Sequence, residues 1–304
     1  MLAALFNGVL PIVTISFIGY AFGKLKVFDF DSAIILNKFV MFVAMPVLGF
    51  KLLSDASLFD IPNQLLLGYL ISEIAVYIIT FLVARRIFLV DVKEAFLLGL
   101  ATALTNHVLF ILPISEILIG SNATLPIVAL ISMDGLLIFS GTIIAMDIMS
   151  SPNRGWKPTV SKIISNPPIL GMLAGLFYGM SGLQVLPNFG IFLTNISATA
   201  SPVLLFALGI ILSIKRDEVV ASLSNLIVAV KLILHPTIAY IIFIFLLALP
   251  IDLTKPALMV AAAPCGVMSF MLAINYGVKV DNIARVILLS SLLSLLTVSF
   301  VSTI

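Results

Sequence analysis

The ten residues ATALTNHVLF at positions 101–110 and the ten residues AAAPCGVMSF at positions 261–270 share a pattern, small apolar residues running into a polar or helix-breaking centre, at an offset of 160. In the first, Thr105, Asn106 and His107 interrupt an apolar run that continues to Pro113. In the second, Pro264, Cys265 and Gly266 do the same, with Asn275 and Gly277 downstream. A proline inside a helix removes a donor and displaces a carbonyl, and within a bilayer the freed backbone must be satisfied by protein or by cavity water. Two broken helices therefore mark a cavity. Where they cross, the positive end of a half-helix and its free N–H groups can receive a carboxylate, while freed carbonyls can hold a cation. The alignment sets Asn106 beside Gly266, so Asn106, His107, Pro113, Pro264, Cys265 and Gly266 are the first candidates for a binding site. A simple kink is the structural alternative.

The surroundings are those of a membrane protein. Of 304 residues, 62% are hydrophobic and only 10% charged, with a mean hydropathy of +1.26, whereas a soluble globular chain carries roughly 25% charged residues. Apolar stretches of bilayer length fall near 4–24, 31–51, 62–85, 94–117, 123–149, 166–181, 191–213, 224–249, 256–277 and 283–303. The expected fold class is an all-α polytopic membrane protein of ten spans. The N-terminus lacks a basic region or a cleavage site, so 4–24 reads as a retained span. The net charge of +2 and the scattered basic residues exclude a nucleic-acid surface. One cysteine and two histidines offer neither a disulfide nor a metal cluster, and no cofactor is implied.

Positively charged short loops stay cytoplasmic. Lys24, Lys26, Arg85, Arg86, Lys93, Arg154, Lys157, Lys162, Lys215, Arg216, Lys279 and Arg285 fall in or beside the loops after odd spans, against Lys51 and Lys255 in the others. Both termini are therefore expected outside, in a plasma membrane such as a bacterial inner membrane.

The chain also repeats. Ala44 to Phe50 matches Ala200 to Phe206, Pro11-Ile12 with Gly19 and Gly23 matches Pro168-Ile169 with Gly175 and Gly179, and Tyr77 to Ile79 matches Tyr240 to Ile242. These matches divide the chain into a first repeat at 1–150, a short cytoplasmic loop at 151–165 and a second repeat at 166–304. Five spans is an odd number, so the second repeat must be inverted, the construction of alternating-access carriers.

At this point the motifs resemble the auxin efflux carrier family, which includes PIN-type carriers and bacterial malate and malonate permeases. The likeness covers nearly the whole chain and is most specific at Asn106 to Pro113, Asn166-Pro167-Pro168, Phe206 to Gly209, and Ala263 to Val267 through Tyr276-Gly277. It implies a scaffold from spans 1, 2, 6 and 7, a transport unit from spans 3–5 and 8–10, a substrate site at the crossing of spans 4 and 9 centred on Asn106, and a homodimer through the scaffold. The chain departs from the plant carriers in lacking a long central loop and in having Cys265 where their motif has glutamine, which points away from auxin itself. The crossover architecture also looks like that of sodium-coupled bile-acid carriers, which keeps sodium as well as protons open for coupling.

Ionisable groups inside spans cost at least about 2.5–3.5 kcal/mol each and invite a functional reading. Glu73, in span 3, resembles the family's acidic residue on that helix, a proton-exchange candidate; Lys231 or His235 is its alternative structural partner. Asp134, in span 5, either pairs with Asn106 or His107, binds a cation, or makes a helix–helix hydrogen bond. His107 follows Asn106 by about 100° on a regular helix, which favours Asn106 for the ligand. His235 precedes Pro236, where a freed carbonyl is at hand. Lys231 either neutralises a substrate or snorkels toward the cytoplasm. Asn166 before Pro167 suits a helix cap, with the family likeness adding a second ligand contact.

The function expected is a secondary carrier of a small organic anion, a mono- or dicarboxylate or an auxin-like acid. The chain lacks a phosphate-binding G-x-x-x-x-G-K-[ST] loop, so transport draws on gradients of substrate, H+ or Na+. A sodium-coupled symporter is the alternative within that class. A membrane-embedded enzyme, the alternative outside it, needs a nucleophile–base or acidic metal cluster that the sequence does not supply.

Overall fold

The computed structural model describes residues 10–54, 61–120, 123–150, 161, 165–214 and 220–304, and among them the chain is helical throughout. The helices are α1 (Leu10–Lys24), α2 (Phe30–Leu53), α3 (Asn63–Ile87), α4 (Val92–Ala103), α5 (Leu112–Ile119), α6 (Thr124–Ser150), α7 (Pro167–Met180), α8 (Pro187–Ser213), α9 (Ala221–Leu246), α10 (Ile251–Ala261), α11 (Met268–Asn275) and α12 (Asp281–Ser302). Six of them, α2, α3, α6, α8, α9 and α12, are long and apolar enough to cross a membrane. Phe17, Ile35, Leu67, Phe245, Leu296 and Phe300 are each more than half exposed. Such a surface suits hydrocarbon and not water, and the protein is a polytopic helical membrane protein. Most of the loop at 151–165, including Arg154, Lys157 and Lys162, lies outside the described residues, as do Lys215 and Arg216.

Packing divides the helices into two groups. In one, α1 lies against α8 and α2 against α7. These contacts are close because they are made through glycine. A β-carbon on Gly19 would collide with the carbonyl oxygen of Phe206, and one on Gly175 with that of Phe50. Where lipid is as apolar as the protein, helices associate by such backbone-to-backbone approach and not by the hydrophobic effect. The second group holds α3, α4, α6, α9, α10, α11 and α12, with α3 against α4, α9 against α12 and α10, and α11 against α4.

Several helices widen locally. Met45, Leu112 and His235 each donate their N–H to the carbonyl five residues back, on Val40, His107 and Val230. Each of these residues precedes a proline: Pro46, Pro113 or Pro236. A proline lacks the N–H and crowds the carbonyl of the turn before it, and a π turn relieves both defects. Another wide turn, Asp134–Phe139, begins at the buried Asp134.

Two expectations change. Asn166 does occupy the cap position of α7, with Pro167 next, yet its side chain makes no capping bond and its Oδ1 is buried without a partner. The missing N–H of Pro167 leaves fewer backbone donors there for a cap to satisfy. Lys231 does not snorkel; it is fully buried.

Candidate functional site

Helix α4 stops at Ala103, where Leu104 turns extended (φ −66°, ψ 143°), and α10 stops at Ala261. Between these ends and the resumed helices, Thr105 and Cys265 form a single antiparallel bridge. Asn106 N–H donates to Pro264 O at 3.2 Å, and Gly266 N–H donates to Leu104 O at 2.8 Å. These two bonds are images of each other under the 160-residue offset. Four further groups at the breaks are also paired. Ala101 O receives Gly266 N–H at 3.2 Å, Val260 O receives the Thr105 hydroxyl at 3.0 Å, Ala262 O receives the Thr297 hydroxyl at 2.7 Å, and Cys265 N–H reaches Ser290 Oγ at 3.0 Å. The helices can break in an apolar interior because each break supplies what the other lacks.

Beside this crossing, between the two helix groups, lies a cavity of about 80 Å³, lined by Asn106, His107 and Asp134 on one side and Met45, Met172 and Ser201 on the other. One water needs roughly 10–15 Å³ on this measure, so the space fits a few waters or a small solute. Asn106 is 3% exposed, and its Nδ2 has no hydrogen-bond partner. His107 Nε2 stands 3.2 Å from Asp134 Oδ2. Asn106 and His107 thus border the same space. Neither turns away from the other, as consecutive residues of a regular helix would, because no regular helix runs through them: Asn106 has ψ 79° and His107 opens a π turn.

Behind the crossing, Lys231 Nζ donates to Thr105 Oγ1 at 2.8 Å and lies 3.2 Å from His235 Nδ1. An ammonium has only donors, so Nδ1 accepts and the ring proton sits on Nε2, 3.4 Å from Ser72 Oγ. The Ser72 hydroxyl in turn donates to Tyr69 O at 2.7 Å. His235 also packs against the Tyr69 ring at 5.7 Å. Glu73 and Asp134 both act electrostatically on Lys231 and on each other, while neither oxygen of Glu73 finds a hydrogen bond of normal geometry. Glu73, Asp134, Lys231 and His235, four residues from three helices, therefore meet in one buried cluster.

Other sequence candidates lie elsewhere or play backbone parts. Asn166 lines a separate cavity of about 730 Å³ with Lys93, Asp147, Asn275 and Tyr276, not the one at the crossing. There the Tyr276 hydroxyl donates to Asp147 Oδ1 at 2.9 Å. Pro113 falls in α5; its side chain is outside the described residues. Pro264, Cys265 and Gly266 build the second break, and the Cys265 thiol is buried. Thr105, Ser72 and Tyr69 were not singled out as functional in the sequence. Ser72 carried a signal: the Tyr77–Tyr240 match, extended back along the helices, pairs it with His235.

A family profile described as "Membrane transport protein" matches residues 4–302. A protein of Rhizobium meliloti (strain 1021) named "Putative malonate transporter" is 24% identical over 298 residues, covering 96% of this chain and 92% of that protein.

Proposed function

The chain belongs to the membrane transport protein family, the auxin efflux carrier group its motifs resemble, and is a transporter rather than an enzyme; from that premise we propose that it is a secondary carrier of a small organic carboxylate, malonate being the first to test. The observation that carries this reading is the Asn106 amide, a buried donor with no partner, beside a small cavity at the meeting of two broken helices. A buried donor left unpaired costs roughly 1–3 kcal/mol, which a carboxylate oxygen placed there recovers. The helix that begins at His107 adds the positive end of its dipole.

Alternating access follows from an inverted repeat. Six long helices, the shorter α1 and α7, and the interrupted pairs α4/α5 and α10/α11 make ten crossings, five in 1–150 and five in 166–304, joined by the loop at 151–165. Two features support that symmetry. The bonds across the crossing are reciprocal at an offset of 160, and the tight contacts of Gly19 on Phe206 and Gly175 on Phe50 are related by an offset of 156. Exchange of conformation between the halves opens the Asn106 cavity to each side in turn. In this reading the group of α1, α2, α7 and α8 is the static scaffold through which two copies pair, both termini face outward, and the protein sits in the plasma membrane, the inner membrane of a bacterium. Glu73 and Asp134 against the single ammonium of Lys231 leave one negative charge in excess. A proton taken up by this pair neutralises the cluster as it moves through the membrane.

The test is uptake into proteoliposomes across malonate, malate, other small carboxylates and indole acetate. Saturable carboxylate flux is expected, and Asn106→Ala should reduce it roughly 10–100-fold at an unchanged melting temperature. No flux of any carboxylate would sink the substrate assignment. Glu73→Gln should flatten the pH dependence of uptake; an unaltered profile removes Glu73 from the coupling.

A further inference from the structure

The cavity at the crossing holds only about 80 Å³, and one side chain accounts for much of its closure. Asn106, His107 and Asp134 form one wall, and Met172 of α7 stands on the facing wall. The backbone that carries Met172 cannot retreat. A β-carbon on Gly171 would collide with Pro46 O, and one on Gly175 with Phe50 O, so α7 is pressed onto α2 on either side of Met172 along the helix.

From that fixed base the side chain runs between two further glycines. A β-carbon on Gly49 of α2 would stand 2.5 Å from Met172 Cγ, and one on Gly135 of α6 would stand 3.2 Å from its sulfur. Gly49 belongs to the group of α1, α2, α7 and α8, while Gly135 lies in the wide turn Asp134–Phe139 of the other group. Two bare stretches of backbone, one from each group, thus form a slot that the Met172 thioether fills. The Ser140 hydroxyl, which donates to Gly135 O at 3.0 Å, lies 3.9 Å from the same sulfur. Met172 is 3% exposed.

A thioether occupies volume while offering a carboxylate no donor. An acid whose carboxylate meets Asn106 Nδ2 must fit its remaining atoms between Asn106 and this wall. A short acid ends before the sulfur, whereas each added methylene has to displace a side chain confined by backbone on two sides. Apolar pockets discriminate at about 10–200-fold per methylene.

We propose that Met172 sets the upper length of the acid this carrier accepts, admitting dicarboxylates of malonate size and excluding longer straight-chain ones. This deepens the carrier reading and rests on it.

The experiment measures uptake of labelled malonate, succinate, glutarate and adipate, one at a time, into proteoliposomes bearing wild type, Met172→Ala or Met172→Leu. Wild-type uptake should fall by roughly tenfold or more at one step of the series. Met172→Ala should move that step to a longer acid and raise uptake of adipate relative to malonate by about tenfold. Met172→Leu, of similar volume, should keep the wild-type order. The ratio between acids is the readout, because a merely structural loss lowers all four together. A Met172→Ala variant with the wild-type length preference overturns the proposal. So does a Met172→Leu variant that shifts as far as Met172→Ala, since bulk would then not be what excludes. Should Met172→Ala fail to fold, Met172→Val, which lacks the sulfur and its methyl, should still shift the ratio by about threefold or more; an unmoved ratio there overturns the proposal equally. Wild type that carries all four acids alike leaves the carrier reading standing and removes Met172 from selectivity. Wild type that carries none of them sinks the dicarboxylate reading, and the assignment of Met172 falls with it.

Discussion

The two helix breaks are alike in backbone and unlike in chemistry. Each gives one N–H to the other's carbonyl, and Thr105 and Cys265 pair as equals. However, the first break bears Asn106 and His107, with Asp134 beside them, whereas the second bears Gly266 followed by the apolar Val267. The reason is steric. A β-carbon on Gly266 would stand 2.9 Å from Leu104 Cβ and 3.0 Å from Leu104 O, so the second break must stay bare for the first to come close. Duplicated backbone supplies a geometry that two halves can share, and recognition is concentrated in the half that has room for side chains.

The likeness can be attacked at its tightest points. Gly19→Ala and Gly175→Ala each press a methyl group onto backbone that cannot yield, and each is expected to cost up to about 3 kcal/mol, seen as a lower melting temperature in detergent. The two losses should agree to within about 1 kcal/mol; a large disparity would break the comparison between the halves. Gly266→Ala tests the asymmetry. Its contacts, all with Leu104, begin at 2.9 Å against 2.1 Å for Gly19 and 2.4 Å for Gly175, so a smaller loss of about 1–2 kcal/mol is expected, together with slower uptake as the breaks are pushed apart. If Gly266→Ala is neutral in both readouts, the second break is not bare for steric reasons.

The smallest difference lies at the membrane edge. Asp29 caps α2, its Oδ1 accepting from Ser32 N–H at 2.9 Å and from the Ser32 hydroxyl at 2.6 Å. The corresponding start of α8, at Leu186 and Pro187, has no side-chain cap. The Ser32 hydroxyl and N–H hold the Asp29 carboxyl below its ordinary value. A lowered folded-state value means the cap stabilises above the unfolded-state value and is lost as pH falls through the folded one. Asp29→Ala should therefore lower the melting temperature slightly at neutral pH and make no difference in strong acid; a deficit that persists in acid would exclude the carboxylate as its cause.

Long apolar runs and the proline and glycine that break them were readable in the sequence because bilayer thickness and missing donors leave marks in composition. The offset of 160 that aligned 101–110 with 261–270 is the offset at which Thr105 meets Cys265. The inward aim of Lys231 was not readable. A π turn adds a residue to one turn and rotates everything beyond it, so helical periodicity cannot say which face Lys231 occupies. The joint position of Asn106 and His107 was hidden for a related reason, since helical angles do not apply at a break. Asn166 was misread as a capping side chain because sequence shows the residue before Pro167 but not where its amide points.

A wide turn in a helix behaves like a dislocation in a crystal: it can glide by exchanging one carbonyl partner for the next, rotating the segment it passes by about 100° per residue. Under Lys231 the dislocation is pinned, because Pro236 has no N–H with which to let it pass. Under Asp134 it is not, since no proline follows before the helix ends at Ser150. One charge of the cluster is thus anchored to its helix and the other stands on a sliding fault, so the two can separate without any helix having to unwind.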